Sequence, residues 1–189
     1  MTQPSLRPQD VVILAKLLTH EGARPSFAQM GLDLSMSSSE AHASLKRLGQ
    51  ARLVVSDARG TKLNRRAIAE FIVHGVKYAF PAKRGEMTRG VPTSYAAPPL
   101  SQRIVAGREP PPVWPHPEGS TRGVALEPLY RSVPAAALRD AALYELLALI
   151  DALRDGRVRE RMLAEQHLGA RIVGKINERS KPQTARTRG

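Results

Sequence analysis

The chain of 189 residues contains no cysteine, few aromatic residues and no long apolar run. Without cysteine, a disulfide scaffold, a thiolate metal site and a cysteine nucleophile are all excluded. Aromatic residues make up only 4% of the chain, and no stretch is apolar for the roughly 18 residues that a membrane-spanning helix needs. The first residues also lack the charged start and apolar core of a secretion signal. We therefore expect a soluble, cytoplasmic protein that does not contact membranes.

Acidic residues are scarce relative to basic ones. The 29 lysines and arginines exceed the 17 acidic residues, which gives a net charge of +12 and a pI near 10.8. The excess is +5 in residues 1–80, +3 in residues 81–132 and +5 in residues 171–189, whereas residues 133–170 carry −1. A polyanionic partner is the first interpretation. The alternative is a composition rich in arginine and alanine whose charge is spread over the surface without a function.

Signals of catalytic chemistry are also missing. The five histidines have no metal-ligand spacing, and the sequence contains no glycine-rich phosphate loop and no G-x-S-x-G motif. No pair of carboxylates stands in a recognisable catalytic context. We therefore expect neither an enzyme nor a bound metal or cofactor.

Proline marks the organisation of the chain, because 11 of the 15 prolines lie between Pro81 and Pro134. Helical periodicity is present before and after this region, and the end of the chain is basic with little apolar content. The predicted blocks are a helical head in residues 1–80, an extended or β region in residues 81–134, a helical region in residues 135–170 and a flexible basic tail in residues 171–189.

The helical head is predicted to begin with three helices. Apolar residues at helical spacing predict a first helix from Pro8 to about Gly22. Ser26 opens a short second helix. Ser37 and Glu40 form a capping-box pattern that opens a third helix shortly after the second one ends. Two short helices joined by a few residues are a candidate helix-turn-helix.

A predicted hairpin follows the third helix. Residues 53–55 and 61–63 are β-prone runs around a basic turn, and Asn64 then caps a fourth helix over residues 65–76. The order helix, helix, helix, hairpin, helix is that of a winged helix-turn-helix. The predicted fold class is therefore α+β, with an N-terminal winged helix-turn-helix, a Pro-rich extended or β middle region, a C-terminal helical hairpin and a basic tail.

Residues 37–54 resemble the recognition helix and first wing strand of MarR-like winged-helix bacterial transcription regulators. The shared shape is a Ser-rich start, an apolar residue, a Leu-Lys-Arg-Leu run, a small linker and Leu-Val. Over residues 8–76 the resemblance lies in the order of the helices and strands. It implies sequence-specific binding of double-stranded DNA. The chain departs from the family at Gly31, a poor helix former, and nothing after residue 80 resembles the long dimerisation helices of those regulators.

The third helix divides into an inward and an outward face at roughly 100° per residue. Ala41, Leu45 and Leu48 define the inward face. The outward face carries small and polar side chains, which let DNA approach closely and can reach phosphates and base edges in a major groove. An ordinary solvated helix face would also be polar. The candidate DNA-binding residues are Ser37, Ser38, Ser39, His42, Ala43, Lys46, Arg47 and Gln50 in the helix, and Arg59 and Lys62 in the hairpin.

The Pro-rich middle region contains a repeated tetrapeptide. Thr-Arg-Gly-Val occurs at residues 88–91 and again at residues 121–124. The two copies are predicted to be extended segments that form strands of one small sheet. The alternative is that the four matching residues agree by chance. The only tryptophan, Trp114, follows three prolines. This run is interpreted as a stiff strap with a buried tryptophan, and a partner-docking surface is the alternative.

The C-terminal helical region shows apolar residues at helical spacing from Leu138 to Leu153, a break at Gly156 and a second, basic helix, so a helical hairpin is predicted. It either packs on the preceding blocks or forms a homodimer interface, as a palindromic operator demands.

The leading hypothesis for the function is a transcriptional regulator that binds double-stranded DNA, most simply a repressor. The first alternative is an antitoxin-like autoregulator whose distal region binds and neutralises a partner protein. The second alternative is a nucleic-acid-binding protein that uses only its basic ends and has no sequence preference.

Overall fold

The computed structural model describes residues 5–20, 24–57, 60–105 and 107–179, apart from the side chains of residues 57 and 174–179. The fold is α+β, with helices around two small sheets. The N-terminal elements are α1 (Pro8–Thr19), α2 (Phe27–Leu34), α3 (Ser38–Gln50), β1 (Val54–Asp57), β2 (Gly60–Leu63), α4 (Arg65–Glu70), a π-helical turn (Phe71–Gly75) and α5 (Val76–Ala79). This is the predicted order of three helices, a hairpin and a helix.

The caps at the starts of these helices are the ones that the sequence predicts. Ser26 accepts a hydrogen bond from the backbone of Gln29 at 3.1 Å, and Asn64 accepts one from the backbone of Ala67 at 3.3 Å. The fourth helix was predicted to end at Val76, but the helical run continues through the π turn and α5. The predicted end of the first helix at Gly22 lies outside the described residues, and α1 ends before it, at Thr19.

Glycine is a poor helix former, but a steric constraint explains its presence at position 31 in α2. A Cβ atom at this position would lie 2.7 Å from the carbonyl oxygen of Met36, in the turn between α2 and α3. The turn itself is tight, because Ser35 adopts a left-handed conformation with φ of 51° and the backbone of Met36 donates to the carbonyl of Gly31 at 3.0 Å. A glycine therefore allows the start of α3 to cross close to α2.

The middle region forms a small closed barrel of β3 (Arg84–Pro92), β4 (Pro112–Pro115) and β5 (Thr121–Leu126). β3 pairs antiparallel with both other strands, and β4 pairs parallel with β5. The extended conformation predicted for the two tetrapeptide copies is confirmed, since they lie in β3 and β5. Trp114 is buried, as predicted, and its Nε1 donates to Oδ2 of Asp151 at 2.6 Å.

Three helices complete the described chain: α6 (Val133–Arg139), α7 (Ala141–Asp155) and α8 (Val158–Arg179). The predicted apolar stripe is wrong at its start, because Leu138 is 50% exposed and Ala142 is also exposed. The physical reason is that α6 ends before Asp140, which caps α7 by accepting from the backbone of Leu143 at 3.0 Å. The predicted tail boundary at Arg171 also moves, since α8 runs to Arg179; residues 180–189 lie outside the described residues.

One hydrophobic core joins the head to the C-terminal helices. α1 is packed between α3 and α7, so that residues 11–15 are all buried whichever side of the helix they lie on. α4 packs on α8, and α5 packs on α7. The predicted helical hairpin of α7 and α8 therefore packs on the preceding blocks in this chain.

A buried ionic network fixes the barrel to α7. The carboxylate of Asp151 accepts from Thr93 at 2.9 Å and from Arg154 at 2.6 Å, in addition to Trp114. Arg154 also donates to the carbonyl of Phe80 at 2.8 Å, just after α5. The network links the end of the head, the barrel and α7 through one satisfied carboxylate.

Candidate nucleic-acid interface

The start of α3 is held by a complete capping box. Ser37 Oγ accepts from the backbone of Glu40 at 3.1 Å, and the Glu40 carboxylate accepts from the backbone of Ser37 at 2.9 Å. Tyr130, beyond the barrel in sequence, donates its hydroxyl to Glu40 Oε1 at 2.8 Å. The backbone hydrogen bond from Ser37 and the side-chain bond from Tyr130 hold the pKa of Glu40 below its ordinary value. The N-terminal end of α3 is thus anchored to the rest of the chain.

The structure brings most of the candidate helix residues together on one surface. The side chains of Lys46 and Gln50 are exposed one turn apart, with no hydrogen-bond or ion-pair partner among the residues that the structure describes. Ala43 is half-buried beside them. The other exposed candidates on α3 and its cap are Ser37, Ser38, Ser39 and His42.

Arg47 is not part of this surface, because its side chain points toward α1. Its Nε donates to Asp10 Oδ2 at 2.8 Å and its Nη2 to Asp10 Oδ1 at 2.6 Å, while Nη2 also reaches Ser44 Oγ at 3.1 Å. The Asp10 side chain is 1% exposed, and hydrogen bonding to it raises the pKa of Arg47. The guanidinium is turned inward because it neutralises a buried carboxylate. We therefore leave Arg47 out of the proposed interface.

The buried face of α3 is rotated slightly from the predicted one. Ala41 and Leu48 are fully buried as expected, but Leu45 is only half-buried and Ser44 is fully buried in its place. Ser44 is tolerated inside because its hydroxyl accepts a hydrogen bond from Arg47. Leu45 instead lines a groove on the outer side of α3.

This groove, of about 660 Å³, runs between α3 and the β1–β2 hairpin. Apolar side chains from α2, α3 and the hairpin form part of its lining, and cationic groups lie along it. Two of these cations, Arg24 and Arg52, were not among the predicted residues. The Arg24 guanidinium lies 4.3 Å from the ring centre of Phe27, and that ring meets His42 edge-on at 5.0 Å. Arg24 is thereby positioned next to α3.

Arg52 occupies a position that usually belongs to glycine. It has a φ of 57°, and it follows α3 in a Schellman motif in which Leu53 donates to the carbonyl of Leu48 at 3.0 Å and Arg52 donates to that of Gly49 at 3.0 Å. A non-glycine residue in this conformation costs about 1 to 2 kcal/mol. The sequence signal that could have identified Arg52 is that no glycine stands in the position after α3 where a helix often ends on one.

The hairpin forms the other wall of the groove. β1 and β2 pair antiparallel, with Val55 opposite Lys62. Both side chains are exposed, and Val55 lines the groove, so Lys62 lies on the face of the hairpin that carries this groove residue. Arg59, predicted at the tip of the turn, lies outside the described residues.

Comparison with known proteins supplies no identity, since the chain matches no family model, no curated protein and no solved structure. Within the described residues, no group of three or more histidine, aspartate and glutamate side chains could hold a metal ion. In the same part of the chain, no helix has both the length and the apolarity that crossing a bilayer requires.

Proposed function

We propose that the chain is a sequence-specific regulator that binds double-stranded DNA, most simply a repressor, and that residues 1–80 are a winged helix-turn-helix. In this proposal α3 is the recognition helix and enters the major groove, and the β1–β2 hairpin is the wing beside the phosphate backbone. The observation that carries the proposal is the continuous surface formed by the outward face of α3, the cationic groove and the hairpin.

The chemistry of α3 fits this role. Ser39 and Ala43 are small, so a DNA backbone or base edge can approach the helix closely at these positions. Lys46 and Gln50 follow one and two turns later with long donors that can reach guanine or adenine edges. The diameter of an α-helix fits the width of a major groove, and the anchored N-terminal cap of α3 gives its first turn a fixed direction.

The strained turn at Arg52 favours a functional surface over an ordinary solvated face. Glycine would relieve the left-handed backbone, yet this exposed position carries an arginine that lines the groove. Conformational strain of this kind is concentrated at functional sites. Arg24, in the segment before α2, adds a cation to the groove, and Lys62 adds one on the hairpin opposite Val55, as contact with phosphates requires.

The test is a selection of duplexes from a random DNA library with the full chain. We expect an enriched motif, and we expect Lys46→Ala/Gln50→Ala to lose the preference for it while retaining most of its binding to unrelated duplex DNA.

The matched control is Lys83→Ala/Gln166→Ala, which removes the same side-chain types from exposed positions outside the head. Lys83 forms only an exposed ion pair with Glu127 at 3.5 Å, so its loss costs little stability. If no motif is enriched, or if both double variants retain the same preference, the recognition-helix proposal is wrong.

A further inference from the structure

The two Thr-Arg-Gly-Val copies pair with each other. β3 and β5 run antiparallel with Arg89 directly opposite Arg122, and on either side of this pair a threonine of one copy faces the glycine of the other. The copies are therefore related by a local two-fold axis that passes between the two arginines. The sequence repeat corresponds to a structural repeat at this point of the barrel.

The barrel explains why each copy needs its glycine. A Cβ atom at Gly90 would lie 2.1 Å from the carbonyl oxygen of Trp114, and one at Gly123 would lie 2.0 Å from that of Pro111. Both glycines lie where a repeat strand crosses the β4 segment, and no side chain fits there. The repeated glycine is thus a requirement of the fold.

The repeated arginine has no such explanation. Arg89 and Arg122 are both exposed, and neither side chain has a hydrogen-bond or ion-pair partner in the described part of the chain. Arg84, earlier in β3, differs from them because it binds both carboxylate oxygens of Asp155 at 2.8 to 3.1 Å. Directly opposite residues in a sheet have Cβ atoms about 5 Å apart, and like charges at this distance destabilise the pairing.

We propose that Arg89 and Arg122 form a phosphate-binding site, and that its ligand is the backbone of a nucleic acid. Two guanidinium groups on one strand pair present several donors that converge on one anion. A carboxylate is satisfied by a single bidentate arginine, whereas the tetrahedral phosphate, or two successive phosphates of a strand, can accept from both. The +12 charge of the chain attracts the same polyanion.

The surroundings of the pair are compatible with an anion. The next pair on the same face of the two strands is Met87 opposite Val124, which is uncharged. Glu86 precedes the site in β3 and Glu118 lies in the turn before β5, but neither forms an ion pair with the two arginines. Arg89 and Arg122 lie on β3 and β5, whereas the proposed recognition surface is formed by α3 and the β1–β2 hairpin, so the two sites use different elements.

The experiment measures the binding of the full chain to a duplex of unrelated sequence over a range of salt concentrations. Arg89→Ala/Arg122→Ala is expected to lower the slope of log K against log salt by about 1.8, since each lost phosphate contact removes about 0.9. Arg89→Lys/Arg122→Lys keeps the charge and should recover most of this slope. Arg103→Ala/Arg108→Ala removes two other exposed arginines and should leave the slope near that of the parent.

Each outcome bears on the proposal. An unchanged salt slope in Arg89→Ala/Arg122→Ala overturns it, and so does an equal loss of slope in the Arg103 and Arg108 control. The proposal is also wrong if the two arginines bind an acidic protein and their loss leaves nucleic-acid binding unchanged. Competition by inorganic phosphate at equal ionic strength identifies free phosphate as the better ligand and overturns the assignment to a backbone. Repeating the series in the Lys46→Ala/Gln50→Ala background separates this site from α3, because its effect should persist there.

Discussion

Arg47 in α3 donates two hydrogen bonds to the buried carboxylate of Asp10 in α1, at 2.8 and 2.6 Å. The same carboxylate accepts from the backbone of Arg7 at 2.8 Å and so also caps α1. One buried acid therefore fixes the start of α1 and the last turns of α3 relative to each other. The other end of α3 is held independently of this pair, by the capping box and by the bond from Tyr130 to Glu40.

Replacing Arg47 with alanine should lower the free energy of unfolding by about 3 to 5 kcal/mol, because it leaves the Asp10 charge buried without a positive partner. Urea denaturation measures this loss. Asp10→Ala and the double variant complete a mutant cycle, and the double variant should lose less than the sum of the two single changes, since neither charge then remains unpaired.

DNA binding by the folded fraction of Arg47→Ala should stay within about twofold of the parent, a difference well below 1 kcal/mol. If the protein keeps its stability and loses DNA affinity instead, Arg47 contacts DNA, as the sequence pattern alone suggests.

Replacing Arg52 with glycine should move stability and DNA binding in opposite directions. Glycine adopts the left-handed turn without strain, so we expect a gain of up to about 1 kcal/mol in the free energy of unfolding. The loss of one guanidinium at the groove should reduce the salt slope of DNA binding by about 0.9.

The control for this prediction is Arg52→Ala, which removes the same charge but keeps a Cβ atom in the left-handed turn. It should lose the DNA contact and gain no stability. A glycine variant that binds DNA with an unchanged slope would show that the strained turn serves only the fold.

The sequence predicted the head well because its signals are local. The capping box at Ser37 and Glu40, the cap at Asn64 and the β-prone runs of the hairpin each lie within a few residues of the element they define. The exposed positions of Lys46 and Gln50 also followed from the helical period. Short-range periodicity is the strongest information that a single sequence carries.

The errors come from partners that are distant in the chain. Nothing around Arg47 indicates that Asp10 is its acceptor, 37 residues earlier. Ser44 looks like a surface residue until that arginine is placed beside it. The crossing that makes Gly31 necessary also depends on tertiary geometry, although Met36 is near in sequence. Long-range pairing of this kind leaves no periodic signal.

Alanine substitutions at two glycines should have opposite effects on stability. Gly123→Ala places a Cβ atom 2.0 Å from the carbonyl oxygen of Pro111, and we expect a loss of at least about 1 to 3 kcal/mol, the range found for overpacking. Gly169→Ala lies in α8 with open space around it, and higher helix propensity should raise stability by up to about 1 kcal/mol. Thermal unfolding of both variants checks the pair. Equal effects would contradict the close crossing at the barrel.

Glu40 should make the stability of the chain depend on pH in the acidic range. Its pKa is lowered in the folded chain by the hydrogen bonds from Ser37 and Tyr130, so its contribution is fully present above the unfolded pKa of about 4.3 and is lost as the pH falls through the lower folded value. Urea denaturation at several pH values between about 6 and 3 should show a steeper loss for the parent than for Glu40→Gln.

Two further comparisons make this assignment specific to Glu40. Asp33 and Asp140 also have lowered pKa values. Burial is the largest single cause and raises both pKa values, but the bonds from Lys16 and Gln29 to Asp33, and from Leu143 and Lys16 to Asp140, outweigh it together with nearby positive charges. Both groups contribute equally to the parent and to Glu40→Gln. The difference between the parent and Glu40→Gln therefore isolates Glu40.

Tyr130→Phe keeps the bonds from Ser37 to Glu40 but removes the phenol hydroxyl. The pH dependence of its stability should lie between those of the parent and Glu40→Gln. Identical pH profiles for the parent and Glu40→Gln would mean that the charge of Glu40 contributes nothing to the stability of the fold.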